Sequence, residues 1–261
     1  MDKLFVIKVG GNIIDDEVKL SLFLQSFTKV AGNKILVHGG GTLATKMAQA
    51  MGVQQQMIEG RRITDAETLK IVTMVYAGYI NKNIVAQLQS FHCNAIGLSG
   101  ADGNSIEAHK REAVPVEYGF VGDVDFVNID LLQLLLQNKN ALVIAPITHN
   151  GKGQLLNTNA DTIAQEIAKA MSKLYEVHLI YSFEKSGVLL DVNDETSVIN
   201  RLNPTSYNQL KAEAKIFAGM IPKIDNTFVA LKGGVHKVII GKAEELQQLI
   251  TGTKGTTIVN E

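Results

Sequence analysis

Two glycine turns are the first residues in this chain whose types and spacing suit work on anions. One reads Lys8-Val9-Gly10-Gly11 and the other His38-Gly39-Gly40-Gly41. Backbone N–H groups can close on an anion only where no Cβ intrudes, and a helix amino terminus adds a favourable dipole. Taken singly, each turn reads equally well as a tight strand-to-helix connection with no ligand. Two of them in parallel at one sheet edge tip the reading towards a phosphate or carboxylate site. Lys8 follows an apolar run, where a lysine is often a solvated strand end. Directed into a glycine-lined cleft, its ammonium would instead neutralise charge on a moving phosphoryl group.

The elements that must position these residues are legible as apolar runs stopped by glycine. Leu4-Phe5-Val6-Ile7 and Lys34-Ile35-Leu36-Val37 read as buried strands, each delivering a turn at its carboxyl end. Ligands collect at that edge of open α/β sheets. Helical spacing follows from Thr42 to Met51, with Gly52 as a stop. Thr64-Asp65-Ala66-Glu67 has the capping-box pattern and opens a helical stretch to about Phe91. Further strands are expected at Ala95–Leu98, near Ile106–Ala108, at Gly119–Val124, at Ala141–Ala145 and at Val177–Tyr181. Helices are expected near Ile129–Gln137, Thr162–Met171 and Ser206–Glu213, and from Pro222. The alternation predicts an α/β fold: a three-layer αβα sandwich with a mostly parallel central sheet. A second lobe is expected to begin at Val177, dividing the single domain into residues 1–176 and 177–261.

Composition excludes several classes. Lys plus Arg total 25 against 26 Asp plus Glu, a formal charge of −1 with no basic tail, which argues against nucleic-acid binding. The single cysteine, Cys93, forms no internal disulfide and reads as a small buried hydrophobe. The histidines show no metal-ligand spacing, and His38 reads as support for its turn. Runs such as Ala141–Ile147 are too short to span a bilayer. Met1-Asp2-Lys3 leads straight into apolar residues without a secretory pattern, so the expected location is cytoplasmic. Walker A, protein-kinase and dinucleotide-binding signatures are absent. Gly241-Lys242 is followed by Ala243 and lacks the upstream glycine.

Seven short motifs in order carry a resemblance to the amino-acid kinase family, and within it to the branch that acts on N-acylated glutamate. Ile7-Lys8-Val9-Gly10-Gly11 resembles the family's first phosphate turn and His38-Gly39-Gly40-Gly41 its substrate turn. Gly60-Arg61-Arg62-Ile63-Thr64 resembles the arginine segment. Leu98–Gly103 and Gly119–Val124 resemble two characteristic loops. Asn157-Thr158-Asn159-Ala160-Asp161 is similar to the NxNAD motif, and Gly219-Met220-Ile221-Pro222-Lys223 to the GMxxK motif.

The resemblance implies transfer of the ATP γ-phosphoryl group to a γ-carboxylate. Gly40 and Gly41 would bind substrate through backbone N–H groups. Arg62 would fork onto its α-carboxylate, a geometry lysine cannot copy, and Asn157 would hold the amide-bearing end. Lys8 and Lys223 would stabilise the moving phosphoryl group, with Asp161 orienting both. Read without the family, Asp161 is equally a helix N-cap and Arg62 a solvated loop charge. Gly10, Gly11, Glu184, Lys185, Ser186, Gly187, Val188, Leu189, Gly219 and Met220 would bind the nucleotide. Glu184 stands where the family commonly has aspartate. Magnesium would arrive with ATP, with no dedicated protein metal site. The resemblance further implies an arginine-insensitive homodimer, since no helix precedes the first strand. Alternatives on the same fold are a carbamate, aspartate or glutamate kinase, and a catalytically silent amino-acid or nucleotide sensor.

Overall fold

The two apolar runs become adjacent strands at the centre of an eight-stranded sheet. A computed structural model of the chain describes residues 1–58, 61–191, 193–213, 215–216 and 220–261. The main sheet contains β1 (Lys3–Val9), β2 (Asn33–His38), β5 (Ala95–Leu98), β8 (Ala141–Ile144), β11 (Glu176–Phe183), β12 (Arg201–Leu202), β13 (Lys237–Lys242) and β14 (Thr256–Ile258). Their order is β12-β14-β13-β11-β1-β2-β8-β5. Every pairing is parallel except β13 with β14. A four-stranded sheet joins β6 (Ile106–Lys110), β7 (Gly122–Val127), β9 (Ile147–His149) and β10 (Leu155–Asn157). β3 (Met57–Ile58) and β4 (Arg61–Arg62) form a small antiparallel pair.

Helices cover both faces of the main sheet: α1 (Gly11–Ile14), α2 (Glu17–Thr28), α3 (Gly41–Ala50), α4 (Ala66–Thr73), α5 (Asn81–Ser90), α6 (Ile129–Gln137), α7 (Ala160–Met171), α8 (Pro204–Ala212), α9 (Ile221–Lys232) and α10 (Leu246–Thr251). Strand side chains alternate in direction, so the sheet builds two cores. Leu4 and Val6 of β1 pack on one face with Ile163, Ile167 and Met171 of α7. Phe5, Ile7 and Val9 pack on the other with Phe23, Leu24 and Phe27 of α2. Lys8 shares the parity of Leu4 and Val6, which directs it to the α7 face. The three-layer α/β expectation holds.

Several local expectations change. The helix after residue 64 is capped by Asp65, whose carboxylate accepts from Thr68 N at 2.7 Å, and not by Thr64. Thr64 is buried and bridges to Gly119 instead. The stretch to Phe91 is not one α-helix: a π-helical turn, Met74–Ile80, joins α4 to α5. Asn159, not Asp161, caps α7, accepting from Asp161 N and Thr162 N. Cys93 is only partly buried, at the rim of the α2-side core.

Candidate active site

β1, β2 and β11 all end at the same edge, where the order of strands reverses around β1. That crevice is where ligands bind in open α/β sheets. α3 and α7 begin there, presenting the positive ends of their dipoles.

On one side lies a cavity of about 250 Å³ whose lining includes Lys8, Gly40, Gly41, Arg62, Tyr76 and Asn157. Gly40 takes φ 143°, and a Cβ there would lie 2.2 Å from Ile80 Cδ1. Only glycine fits, because the π-helical turn drives Ile80 and Tyr76 against it. No side chain caps α3, so its first N–H groups stay available to an anion. Arg62 is buried and aimed at this turn. Its Nη2 donates to Gly41 O and Thr45 Oγ1, each at 2.9 Å, and its Nη1 donates to Gln55 Oε1. Asn157 Nδ2 donates to Thr64 Oγ1 at 3.0 Å. His38 lies beneath the turn with no exposure. Its Nδ1–H donates to Gly39 O at 2.8 Å and its Nε2 accepts from Asn81 Nδ2 at 3.3 Å. Burial pushes its pKa down to about 4, with the Gly39 bond opposing and Lys82 adding to the shift. His38 is therefore a neutral brace.

At the centre, Lys8 Nζ lies 2.8 Å from Asp161 Oδ1. Asp161 is fixed by position in the first turn of α7 and by the Asn159 cap. Lys223, in the first turn of α9, lies 4.5 Å from the centroid of Phe183, and Lys8 lies 5.8 Å from it. Both ammonium groups thus approach the same aromatic ring. Lys223 and Asp161 line the same small cavity, but no ion pair joins them among the described residues.

The second cavity, about 390 Å³, is lined by Gly10, Gly11, Glu184, Lys185, Gly187, Leu189, Met220 and Lys223, with Asn12, Ile13 and Phe183. Asn12 Nδ2 donates to Glu184 Oε1 and so ties the first glycine turn to the end of β11. Ser186 and Val188 do not line it. Ser186 Oγ donates to Glu195 at 2.7 Å, and Val188 is fully buried with its N–H bonded to Thr256 Oγ1. Gly219 lies outside the described residues. Gly11 lines both cavities, so they meet at the first turn.

The model of the amino acid kinase family matches residues 3–242. The chain belongs to that family. It is 54% identical over 262 residues to an acetylglutamate kinase of Cytophaga hutchinsonii, covering 99% of each chain. It is 51% identical over 258 residues to an acetylglutamate kinase of Parabacteroides distasonis, covering 99% of this chain and 100% of that one. The fold also matches a Giardia carbamate kinase structure at TM-score 0.72 and 13% identity, covering 100% of this chain and 99% of that one.

Beyond the motif residues of an amino acid kinase, the cavities recruit groups that sequence reading passed over. Arg61, Tyr76 and Arg111 line the smaller cavity, with Lys8 and Arg62. Arg61 could have been found from its place beside Arg62. Arg111 carried no local signal: it arrives through a forked pair with Asp123, its Nε donating at 3.0 Å to Oδ2. That guanidinium holds the Asp123 carboxyl below the usual carboxylate range. Phe183 and Asn12 were hidden beside Glu184 and Gly11.

Proposed function

We propose that this chain transfers the γ-phosphoryl group of ATP to the γ-carboxylate of N-acetyl-L-glutamate, or a closely related N-acylglutamate, in arginine biosynthesis. The full-length similarity to acetylglutamate kinases supports the reaction class. The single structural observation that carries the reading is that Lys8, paired with Asp161, lines the smaller cavity and Lys223 the larger, with Gly11 shared between the two.

ATP would occupy the larger cavity, its phosphates against Gly10 and Gly11. The acylated amino acid would occupy the smaller one. Gly40 and Gly41 would offer N–H groups, Arg62 would fork onto the α-carboxylate, and Asn157 would meet the amide-bearing end. A glutamate side chain has a pKa of roughly 4.3 and is already anionic at neutral pH, so no base is required. One γ-carboxylate oxygen forms the new bond to phosphorus while the bond to the β–γ bridging oxygen breaks. ADP leaves with that electron pair, and the product is an acyl phosphate. Lys8 and Lys223 would stabilise the charge spread over the moving group, and Asp161 would keep Lys8 in place. Magnesium would enter bound to ATP and neutralise phosphate charge. Glu184 would meet the nucleoside end, with Asn12 fixing its carboxylate.

Residues 1–176 are proposed as the substrate-binding half and 177–261 as the nucleotide-binding half, with Gly10–Ile13 lent to the second. The active species is proposed to be a cytoplasmic homodimer. No described helix is long and apolar enough to cross a membrane. Hydroxylamine trapping with ATP–magnesium tests the reading, offering N-acetyl-L-glutamate, N-succinyl-L-glutamate and L-glutamate side by side. A hydroxamate from an N-acylated substrate and none from L-glutamate is expected. No hydroxamate from any of the three would overturn the proposal.

A further inference from the structure

At the opposite edge of the main sheet, where β11 begins and β13 is about to begin, three metal-ligating side chains converge. Glu176 and His178 are the first and third residues of β11, so their shared parity puts them on one face. β13 pairs with β11 through His178 and Lys237, which brings the preceding residue, His236, alongside. His178 Nε2 lies 2.9 Å from Glu176 Oε1, and His236 Nε2 lies 3.9 Å from the same oxygen. All three ligand atoms fall within 4.8 Å of one another.

We propose that Glu176, His178 and His236 form a binding site for a borderline divalent transition-metal cation such as Zn²⁺. Two imidazoles and one carboxylate suit such an ion, whereas magnesium and calcium select all-oxygen sets. A tetrahedral ion with bonds of about 2.0–2.1 Å holds its ligand atoms about 3.3 Å apart. The observed separations bracket that value, so small side-chain rotations close the site. Two rings already have restricted freedom. His178 is almost fully buried, stands edge-on to Phe5 at 5.1 Å and stacks on His236 with centroids 5.5 Å apart. His236 and Glu176 remain open to solvent, which provides the entry path and room for a water as fourth ligand.

Two features set the affinity below that of a dedicated structural site. Lys3 and Lys237 lie close enough to the cluster to oppose a dication. His178 Nδ1 has no hydrogen-bond partner among the described residues, so no outer acceptor fixes its tautomer. The site lies at the amino-terminal edge of β11, whereas Phe183 of the candidate active site ends the strand and Glu184 follows it. Its occupant would tie β11 to the approach of β13 and take no part in phosphoryl transfer.

Zn²⁺ titration of the full chain by calorimetry tests the site, with Co²⁺ as spectroscopic probe and Mg²⁺ as control. One Zn²⁺ per chain is expected, with visible Co²⁺ bands characteristic of nitrogen ligation and no Mg²⁺ binding. His236→Ala removes an exposed ligand and leaves the core intact. It is expected to weaken Zn²⁺ binding about tenfold or more while magnesium-dependent turnover stays at the wild-type level. Glu176→Gln is expected to weaken it as well. No Zn²⁺ binding to the wild-type chain, or undiminished binding to His236→Ala, would overturn the assignment.

Discussion

The substrate-side and nucleotide-side cavities hold their polar groups in different ways. In the first, Arg62 is buried among Gly41, Thr45 and Gln55, Asn157 is tied to Thr64, and neutral His38 braces the glycine turn from beneath. In the second, Ile13, Phe183, Leu189 and Met220 supply apolar walls, and Glu195 tethers the turn at Lys185 and Ser186 from the surface. Groups bonded before the ligand arrives need little reorganisation when it does, which favours discrimination among similar small acceptors. An apolar slot with a tethered turn accepts a base by shape and tolerates substitution. Under the proposed function, acceptor specificity would reside in the first cavity and ATP affinity in the second.

The largest effect should come on either side of the turn the cavities share, because Lys8 lines one cavity and Lys223 the other. Lys8→Ala and Lys223→Ala are each expected to lower kcat by about 10²–10³-fold, the scale of losing one transition-state donor. Their KM values should change far less. Wild-type turnover in both variants, measured by steady-state kinetics, would break the comparison at its junction.

The two glycine turns should then differ in stability. Gly40→Ala forces φ 143° on an L side chain and drives Cβ into Ile80, whereas a Cβ at Gly10 meets only Ser182 O at 3.6 Å. Urea unfolding should show a loss of about 2–3 kcal/mol for Gly40→Ala and less than about 1 kcal/mol for Gly10→Ala. Equal losses would contradict the close packing inferred for the substrate turn.

His38 gives the substrate turn a pH dependence. Its folded pKa of about 4 lies below the ordinary 6.5, so the unfolded chain takes up a proton that the folded chain refuses. Its stabilising contribution is complete above the unfolded value and is lost as pH falls from about 6.5 towards 4. Between pH 7 and 5 unfolding free energy should drop by on the order of 2 kcal/mol. A profile flat across that interval would contradict a buried neutral histidine.

The smallest effects sharpen the division of labour. Arg62→Lys keeps the charge and loses the fork, so acceptor KM should rise about tenfold with ATP KM unchanged. Glu195→Gln should do the reverse, raising ATP KM only a few-fold because its bond to Lys185 is exposed and those to Ser186 are only part-buried. Those bonds pull the Glu195 pKa down to about 2, so the tether is intact above the ordinary glutamate range and fails only in acid. Crossed effects, with Arg62→Lys acting on ATP, would dissolve the distinction between cavities.

Much of this arrangement was legible in the chain because continuous apolar runs ending in glycine admit few other readings. Leu4–Ile7 and Lys34–Val37 became central strands, and their turns meet at one edge. What escaped has physical reasons. The π-helical turn that makes Gly40 indispensable lies inside a sequence with ordinary helical apolarity, and one extra residue per turn leaves no compositional mark. Thr64 and Asp65 are both good caps, and only the burial of Thr64 against Gly119 decides between them. Ser186 and Val188 share a motif with cavity residues but turn away to Glu195 and Thr256. Arg111 reaches the substrate side through long-range pairing with Asp123, which no local pattern reports. The convergence of Glu176, His178 and His236 likewise depends on the register of β11 with β13.

The central claim is that a substrate carboxylate oxygen attacks phosphorus at the junction of the two cavities. Labelling the γ-carboxylate of N-acetyl-L-glutamate with ¹⁸O tests it directly. Hydroxylamine attacks the carbonyl carbon of an acyl phosphate and releases phosphate together with the bridging oxygen. Phosphate carrying one ¹⁸O, read by mass spectrometry and formed in step with ADP and hydroxamate, is the predicted result. ADP formation accompanied only by unlabelled phosphate would mean that water, not the carboxylate, receives the phosphoryl group, and would contradict the account.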